Sequence, residues 1–257
     1  MNNLAKRGPK GLSRQAIRIW GLLFIIIGAA GQAILQNRML GVTTHDYDAL
    51  SKLMENKDYF AMASVALVLQ FVQASAIPVF AFLLVDGFLR TSDAIKYGAR
   101  LVGVAVLSEI PFNLAMTGKW LELDNRNPVC AMVLGIVMLY IFRYYSGMKI
   151  KNIAIKVLTV CMAVVWVEML RIVDGMGIII MVTALWALRK NRSLQIFGGC
   201  AAMFLASVFS PFYLLAPMVF FVIHFYNGEE GSDNKIVNYL AYPGLLLAIG
   251  LLAKYAI

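Results

Sequence analysis

The feature that most constrains this chain is a succession of apolar segments, each close to the length of a membrane-spanning helix. Such a helix needs about 20 mostly apolar residues. Nine segments come near that length, at residues 17–36, 60–89, 95–116, 129–145, 152–171, 175–188, 194–209, 211–226 and 235–256. The sequence therefore predicts an all-α, polytopic transmembrane helical bundle of about nine spans, with a single domain over residues 1–257.

Composition excludes a soluble protein. Of the residues, 61% are hydrophobic and 14% are charged, whereas soluble domains average about 25% charged residues. The first apolar segment is long and lacks a small-residue cleavage site, so it is interpreted as a transmembrane helix and not as a cleaved signal peptide. The bilayer is the predicted environment of most of the chain.

The basic residues predict the orientation. With the N-terminus inside, most of the 23 Lys and Arg residues fall in inner loops or at inner helix ends, as the positive-inside rule requires. The N-terminus is therefore predicted to be cytoplasmic. The same loops account for the net charge of +9, so no nucleic-acid partner is predicted.

The second apolar segment is too long for one straight span. Pro78 lies inside it, and a proline in a helix removes a backbone hydrogen bond, so we expect a kink or break there. Gln70 and Gln73 are three residues apart and share a face. They are expected either to bond a neighbouring helix or to line a pore.

Ionisable residues are concentrated between residues 81 and 113. A charge at the bilayer centre costs at least about 2.5 to 3.5 kcal/mol, so each charge needs a partner or a task. Asp86 and Arg90 are four residues apart and are predicted to pair. Arg100 and Glu109 lie on opposite helix faces. We therefore predict that Arg100 pairs with Asp86 across two consecutive antiparallel spans.

Other polar groups lie near the ends of the segments. Tyr47 to Met54 has the periodicity of a short helix on the membrane surface. His45 is expected to be a solvated loop residue, with an outward-facing general base as the alternative. Glu168, Arg171 and Asp174 follow one another at spacings of three. They are expected to form an ion-pair cluster, and the alternative is an outward-facing acceptor site.

Metal chemistry is not predicted. The cysteines Cys130, Cys161 and Cys200 each lie in an apolar run without a CxxC pattern or a nearby pair of histidines. The chain has no HExxH, Walker or GxSxG motif. His224 lies near the inner end of the eighth segment, where bonding between helices and catalysis are equally compatible with the sequence.

Two motifs carry a resemblance to a known family. The first combines Leu84-Val-Asp-Gly-Phe88 and Arg90-Thr91 with Lys96-Tyr97, Arg100-Leu101 and Ser108-Glu-Ile-Pro-Phe-Asn113. The second is Tyr226-Asn-Gly-Glu-Glu-Gly231, followed by Tyr239 and Tyr242-Pro243. Together they resemble the TraX family of bacterial integral-membrane proteins. The chain departs from that family in two places: residues 25–32 lack the usual Asp-His pair, and Leu245 stands where a histidine is usual.

The resemblance implies an activity and a cofactor. The family is associated with N-terminal acetylation of pilin, and it is distantly similar to membrane acyltransferases that use acetyl-CoA. It implies a membrane-bound acyltransferase in the bacterial cytoplasmic (inner) membrane, acetylating a nitrogen or oxygen of a peptide, lipid or glycan acceptor. Two alternatives stay open: a small proton-coupled transporter, and a non-catalytic membrane partner of an export system.

The resemblance also implies site residues at matching positions. Coenzyme A is anionic, so a basic inner mouth suits it electrostatically. The candidate catalytic residues at matching positions are Asp86 and Glu109, both in the inner site. His224 is a third candidate, as a general base in place of the missing family histidines. The candidate coenzyme A-binding residues are Arg90, Lys96, Arg100, Tyr226 and Asn227.

Overall fold

The fold was examined in a computed structural model, which describes residues 11–42, 47–231 and 235–256. The described chain is a bundle of helices, and the predicted all-α membrane bundle is confirmed. The helices are α1 Arg14–Ala30, α2 Tyr47–Met54, α3 Phe60–Ala74, α4 Ala76–Arg90, α5 Ala94–Thr117, α6 Val129–Tyr144, α7 Ile150–Met169, α8 Gly175–Ala187, α9 Arg192–Ala206, α10 Phe220–His224 and α11 Lys235–Leu251.

Irregular helical turns extend three of these elements. A π-helix, Gly31–Met39, continues α1, and a second, Leu252–Ala256, continues α11. Two 3₁₀ turns, Pro211–Leu214 and Ala216–Val219, lead into α10. With these turns included, helical structure covers each of the nine predicted apolar segments within the described residues.

Five stretches of the described chain are long and apolar enough to cross a membrane: Arg14–Met39, Phe60–Arg90, Ala94–Thr117, Ile150–Met169 and Ile236–Tyr255. Val129–Tyr144, Gly175–Ala187 and Pro211–His224 are shorter apolar helices. The number of crossings and the cytoplasmic N-terminus stay predictions. The helix predicted at Tyr47–Met54 is confirmed as α2, and its location on the membrane surface stays a prediction. His45 lies outside the described residues.

The second segment breaks close to its proline. Helices α3 and α4 meet at Ser75, three residues before Pro78. Pro78 has no amide to donate to the carbonyl of Ala74, and its ring crowds that carbonyl, so the helix is interrupted one turn earlier. Gln70 bonds the side chain of Gln36 on the first helix at 2.5 Å, which confirms the interhelical role expected for Gln70.

Helix α1 packs antiparallel along the whole of α3 and α4. A Cβ atom added to Gly28 would lie 2.2 Å from Cβ of Gln73, and one added to Gly21 would lie 2.8 Å from Val79. The two backbones approach closely because small residues stand at the contact. This packing brings the start of α1 beside the last turns of α4.

Helices α5 and α11 pack against each other in a parallel orientation. Gly250 lies against Leu114 and Ala115, and Lys254 donates to the carbonyl oxygen of Gly118, 3.1 Å away. The main hydrophobic core lies among α4, α6, α8 and α9, where Phe88 contacts Trp186 edge-to-face at 5.8 Å. Helices α1, α4, α5 and α11 surround the space described next.

Candidate functional site: a long cavity and a small pocket

Asp86 lies in the last turns of α4 and is the centre of a charged cluster. Its side chain is 14% exposed. Its Oδ2 atom lies 2.9 Å from Nε of Arg90 and 3.7 Å from Nε of Arg14, and it accepts a hydrogen bond of 2.9 Å from the hydroxyl of Tyr226. The predicted Asp86–Arg90 pair is confirmed. Two hydrogen-bond donors, Arg90 and Tyr226, and the nearby guanidinium of Arg14 therefore stabilise the carboxylate.

The prediction that Arg100 pairs with Asp86 is wrong. No Asp86–Arg100 ion pair within 4.0 Å occurs among the described residues, and Arg14 from α1 takes that place. Gly87 explains why Arg14 can reach Asp86. A Cβ atom at Gly87 would lie 2.4 Å from Nη2 of Arg14 and 2.8 Å from the hydroxyl of Tyr97. The absence of a side chain at Gly87 lets the guanidinium of Arg14 lie across α4 beside Asp86.

The two sequence motifs meet at this cluster. The Leu12 amide donates to the carbonyl of Phe225 at 2.7 Å, and the Asn227 amide donates to the carbonyl of Leu12 at 3.0 Å. The first amide of α1, from Arg14, donates to the carbonyl of Glu229 at 2.8 Å. This bond gives a partner to a backbone N–H group that has none within the first turn of the helix. The second motif therefore anchors the start of α1 and carries Tyr226 to Asp86.

A cavity of about 450 Å³, called here the long cavity, runs through the bundle. Tyr97 and Met116, near opposite ends of α5, both line it. The rise of a helix puts them roughly 28 Å apart. The hydrocarbon core of a bilayer is about 30 Å thick, so the cavity extends over nearly that depth.

One end of the long cavity is basic and is called the arginine end. Arginines from the start of α1, the end of α4 and the start of α5 line it, opposite a single acidic residue: Arg14, Arg18, Arg90, Arg100 and Glu230. Arg100 is exposed and forms no ion pair within 4.0 Å with a described residue. The middle of the cavity is mostly apolar, with the buried Oε1 atom of Gln73 lacking a described hydrogen-bond partner.

The opposite end is called the aspartate end, because Asp174 lines it together with Pro128 and Tyr242. Asp174 precedes α8 with a left-handed φ of 56°, and its Oδ1 accepts from the hydroxyl of Tyr213 at 2.9 Å. No described Lys or Arg lies within ion-pair distance of Asp174. The described hydrogen-bond partner of this half-buried carboxylate is therefore a neutral hydroxyl and not a cation.

The expected cluster of Glu168, Arg171 and Asp174 does not form. Arg171 pairs with Asp124, and its carbonyl accepts from the amide of Arg126 at 3.1 Å. Arg171 also has a left-handed φ of 49°, which breaks the helical spacing on which the expectation rested. Asp174 is consequently available to the long cavity.

A second space, called the small pocket, has Asp86 and Tyr226 in its lining. It has a volume of about 330 Å³. Its polar lining comes from the end of α4, the α8–α9 connection and the second motif: Asp86, Arg189, Arg192, Gln195, Tyr226 and Asn227. Burial lowers the pKa of Arg189, which lies outside the helices.

The coenzyme A candidates from the sequence divide between the two spaces. Arg90 and Arg100 line the long cavity, and Tyr226 and Asn227 line the small pocket. Lys96 lines neither; it is exposed and pairs with Asp93 at 3.1 Å. The amide and ammonium of Lys96 lower the pKa of Asp93.

Two candidate catalytic residues lie away from both spaces. Glu109 was assigned to the inner site, and that placement is wrong: Asn127 and Arg126, in the connection before α6, hold its carboxylate toward the opposite end of α5. His224 is exposed at the end of α10, with its ring 5.5 Å from that of Phe225. Asp86 alone of the three lines a cavity.

Sequence reasoning missed four arginines of these sites: Arg14, Arg18, Arg189 and Arg192. Each was counted only as an orientation signal. A signal did exist, because Arg14 and Arg18 are four residues apart at the start of a span and so share a face. Among the described residues, no cluster of three or more His, Cys, Asp or Glu side chains could hold a metal ion.

Comparison with known protein families gives a match over most of the chain. The family model described as TraX protein matches residues 16–253, which include both motifs and every residue lining the two spaces except Arg14. No curated protein matches the chain. No solved structure matches it.

Proposed function

Because the chain belongs to the TraX family, we propose that it is a membrane-bound acyltransferase that takes acetyl groups from acetyl-CoA. Coenzyme A binds at the arginine end of the long cavity, and a peptide, lipid or glycan acceptor enters at the aspartate end. The observation that carries the proposal is one cavity with a basic end and an acidic end, nearly a bilayer apart.

The charge of the arginine end supports the cofactor. Four arginines face one glutamate there, and guanidinium groups bind phosphate oxygens in a bidentate geometry. Asp86 holds Arg14 and Arg90 in place through its ion pairs. Asp86 is thus a positioning residue, and Arg100, which has no described carboxylate partner, is the group most available to a phosphate.

The apolar middle of the cavity suits the rest of the cofactor. The arm and thioester of acetyl-CoA are uncharged, so burying them costs little if their amides find partners. The unpartnered oxygen of Gln73 offers an acceptor to such an amide. An arm that extends inward from the arginine end directs the thioester toward Asp174.

Asp174 supplies the carboxylate that the transfer requires. The acceptor amine or hydroxyl attacks the acetyl carbon, the carbon–sulfur bond breaks, and the sulfur leaves as a thiolate. Asp174 takes the proton that the nucleophile loses, and that proton neutralises the thiolate, so the products are the acetylated acceptor and coenzyme A. Tyr213 fixes the carboxylate by its hydrogen bond.

The same cavity also favours a second function, a proton-coupled carrier, because an intramembrane carboxylate beside a cavity is typical of such proteins. In liposomes, a carrier would show substrate-driven proton flux that Asp174→Asn abolishes. An acyltransferase would release coenzyme A without such a flux. A non-catalytic partner of an export system would show neither and would co-purify with another membrane protein.

Coenzyme A binding to the detergent-purified protein tests the proposal. We expect Arg100→Ala to weaken binding about tenfold, since a charged hydrogen bond contributes about 1.5 to 3 kcal/mol. Lys96→Ala is the matched control, because Lys96 is a basic residue of the same helix outside the cavity. Absence of coenzyme A binding, or equal losses in both variants, would contradict the proposal.

A further inference from the structure

The small pocket holds two arginines that the proposed reaction does not use. Arg189 follows α8 and Arg192 begins α9. Neither forms an ion pair within 4.0 Å with a described carboxylate, although Asp86 lines the same pocket. Asp86 is already paired with Arg14 and Arg90, so its negative charge is balanced by them. The two arginines therefore give the pocket a net positive charge.

Neutral partners fix both guanidinium groups. Arg192 donates to the carbonyl of Ile223 at 2.6 Å and to the side chain of Gln195 at 3.1 Å, and it lies 4.7 Å from the ring centre of Phe82. Arg189 donates to the carbonyl of Trp186 at 2.7 Å and stacks on its ring at 3.9 Å. Their orientations are therefore set before any ligand arrives, and further N–H groups remain on each.

The apolar wall of the pocket belongs to α4. Phe82, Val85 and Leu89 line it, and Leu89 is 50% exposed. The pocket thus joins two oriented cations to an apolar wall that is buried at Phe82 and Val85 and exposed at Leu89. The predicted topology puts the connection between α8 and α9, which carries Arg189, at a membrane surface, where headgroup phosphates lie.

We propose that the small pocket is a second binding site, for an anionic phosphate-bearing ligand, in which Arg189 and Arg192 bind the phosphate and the α4 wall contacts its hydrocarbon. The ligand is either the headgroup of an anionic phospholipid or a soluble phosphate compound. The site is proposed independently of the acetyl transfer, because no residue lines both spaces.

Native mass spectrometry of the purified protein tests this site. In the lipid arm, the protein is equilibrated with equal amounts of phosphatidylglycerol and phosphatidylcholine. We expect about fivefold preferential retention of phosphatidylglycerol, in line with the attraction of one basic group to an anionic lipid surface. In the second arm, inorganic phosphate replaces lipid, and the melting temperature of the protein is measured. A rise in melting temperature would identify a soluble phosphate ligand.

The chain offers a matched control in the same connection. Lys190→Gln removes one exposed charge between the two arginines without touching the pocket, so it should keep the preference. Arg192→Gln should abolish it. If that variant misfolds, Arg189→Gln serves instead, because Arg189 bonds only the end of its own helix.

Three outcomes would overturn the proposal. The first is no preference for phosphatidylglycerol and no effect of phosphate on the wild-type protein. The second is an equal loss in Lys190→Gln, which would mean a diffuse surface charge. The third is a loss of coenzyme A binding in Arg189→Gln, which would make the pocket part of the cofactor site.

Discussion

The two ends of the long cavity treat charge in opposite ways. At the arginine end, arginines outnumber carboxylates, and Asp86 is surrounded by Arg14, Arg90 and Tyr226. At the aspartate end, Asp174 has a tyrosine hydroxyl and no described cation. The first end is a network with spare positive charge, whereas the second is a single carboxylate held by a neutral group. The difference supports the proposed placement of the anionic coenzyme A at the arginine end and of the acceptor, which gives up a proton, at the aspartate end.

The largest effect is expected from breaking the network. Asp86→Asn leaves Arg14 and Arg90 without their shared carboxylate in a partly buried site, and a hydrogen bond to a charged group contributes about 1.5 to 3 kcal/mol. We expect a clearly lower melting temperature in detergent. Asp93→Asn is the control: Asp93 is largely exposed, and asparagine keeps its cap on α5. Equal melting temperatures for the two variants would show that the Asp86 network does not stabilise the fold.

The second effect concerns the aspartate end and should appear in activity alone. Asp174→Asn removes the proposed base while preserving a group that accepts from Tyr213. We expect acetyl transfer to fall about 100-fold, the lower range for a general base, with coenzyme A binding and melting temperature unchanged. Glu168→Gln, an exposed neighbour, should retain full activity. Full activity in Asp174→Asn would remove Asp174 from the mechanism.

The smallest effect compares one tyrosine hydroxyl at each end; that of Tyr226 also accepts from Arg90 at 3.0 Å. Tyr226→Phe leaves Asp86 with two arginines, so we expect a loss near 0.5 kcal/mol, whereas Tyr213→Phe leaves Asp174 without a described donor, and we expect about 1.5 kcal/mol. Chemical unfolding of both variants measures the two losses. Equal losses would mean that the two ends satisfy their carboxylates in the same way.

Much of the fold follows from local pattern. Apolar length predicted all nine helical segments, and the four-residue spacing of Asp86 and Arg90 predicted their ion pair. Proline chemistry predicted the break in the second segment to within three residues of Pro78. These features depend on residues near one another in the chain, so a single sequence contains the information for them.

The site was less predictable because it depends on packing between distant helices. Arg14 replaces Arg100 at Asp86 because Gly21, Gly28 and Gly87 let α1 lie close along α3 and α4, a contact that periodicity alone does not specify. Membership of the first motif predicts Glu109 at the inner site, whereas its position along α5 puts it toward the opposite end of that helix. The long cavity itself exists only after α1, α4, α5 and α11 have assembled.

The central claim is that coenzyme A occupies the long cavity from its arginine end. A structure of the protein with coenzyme A bound, determined by electron cryomicroscopy with an antibody fragment attached, tests it most directly. The account predicts phosphate density beside Arg14, Arg18 and Arg100, with the sulfur nearer to Gln73 than to these arginines. Coenzyme A bound in the small pocket, or on the surface outside the long cavity, would contradict it.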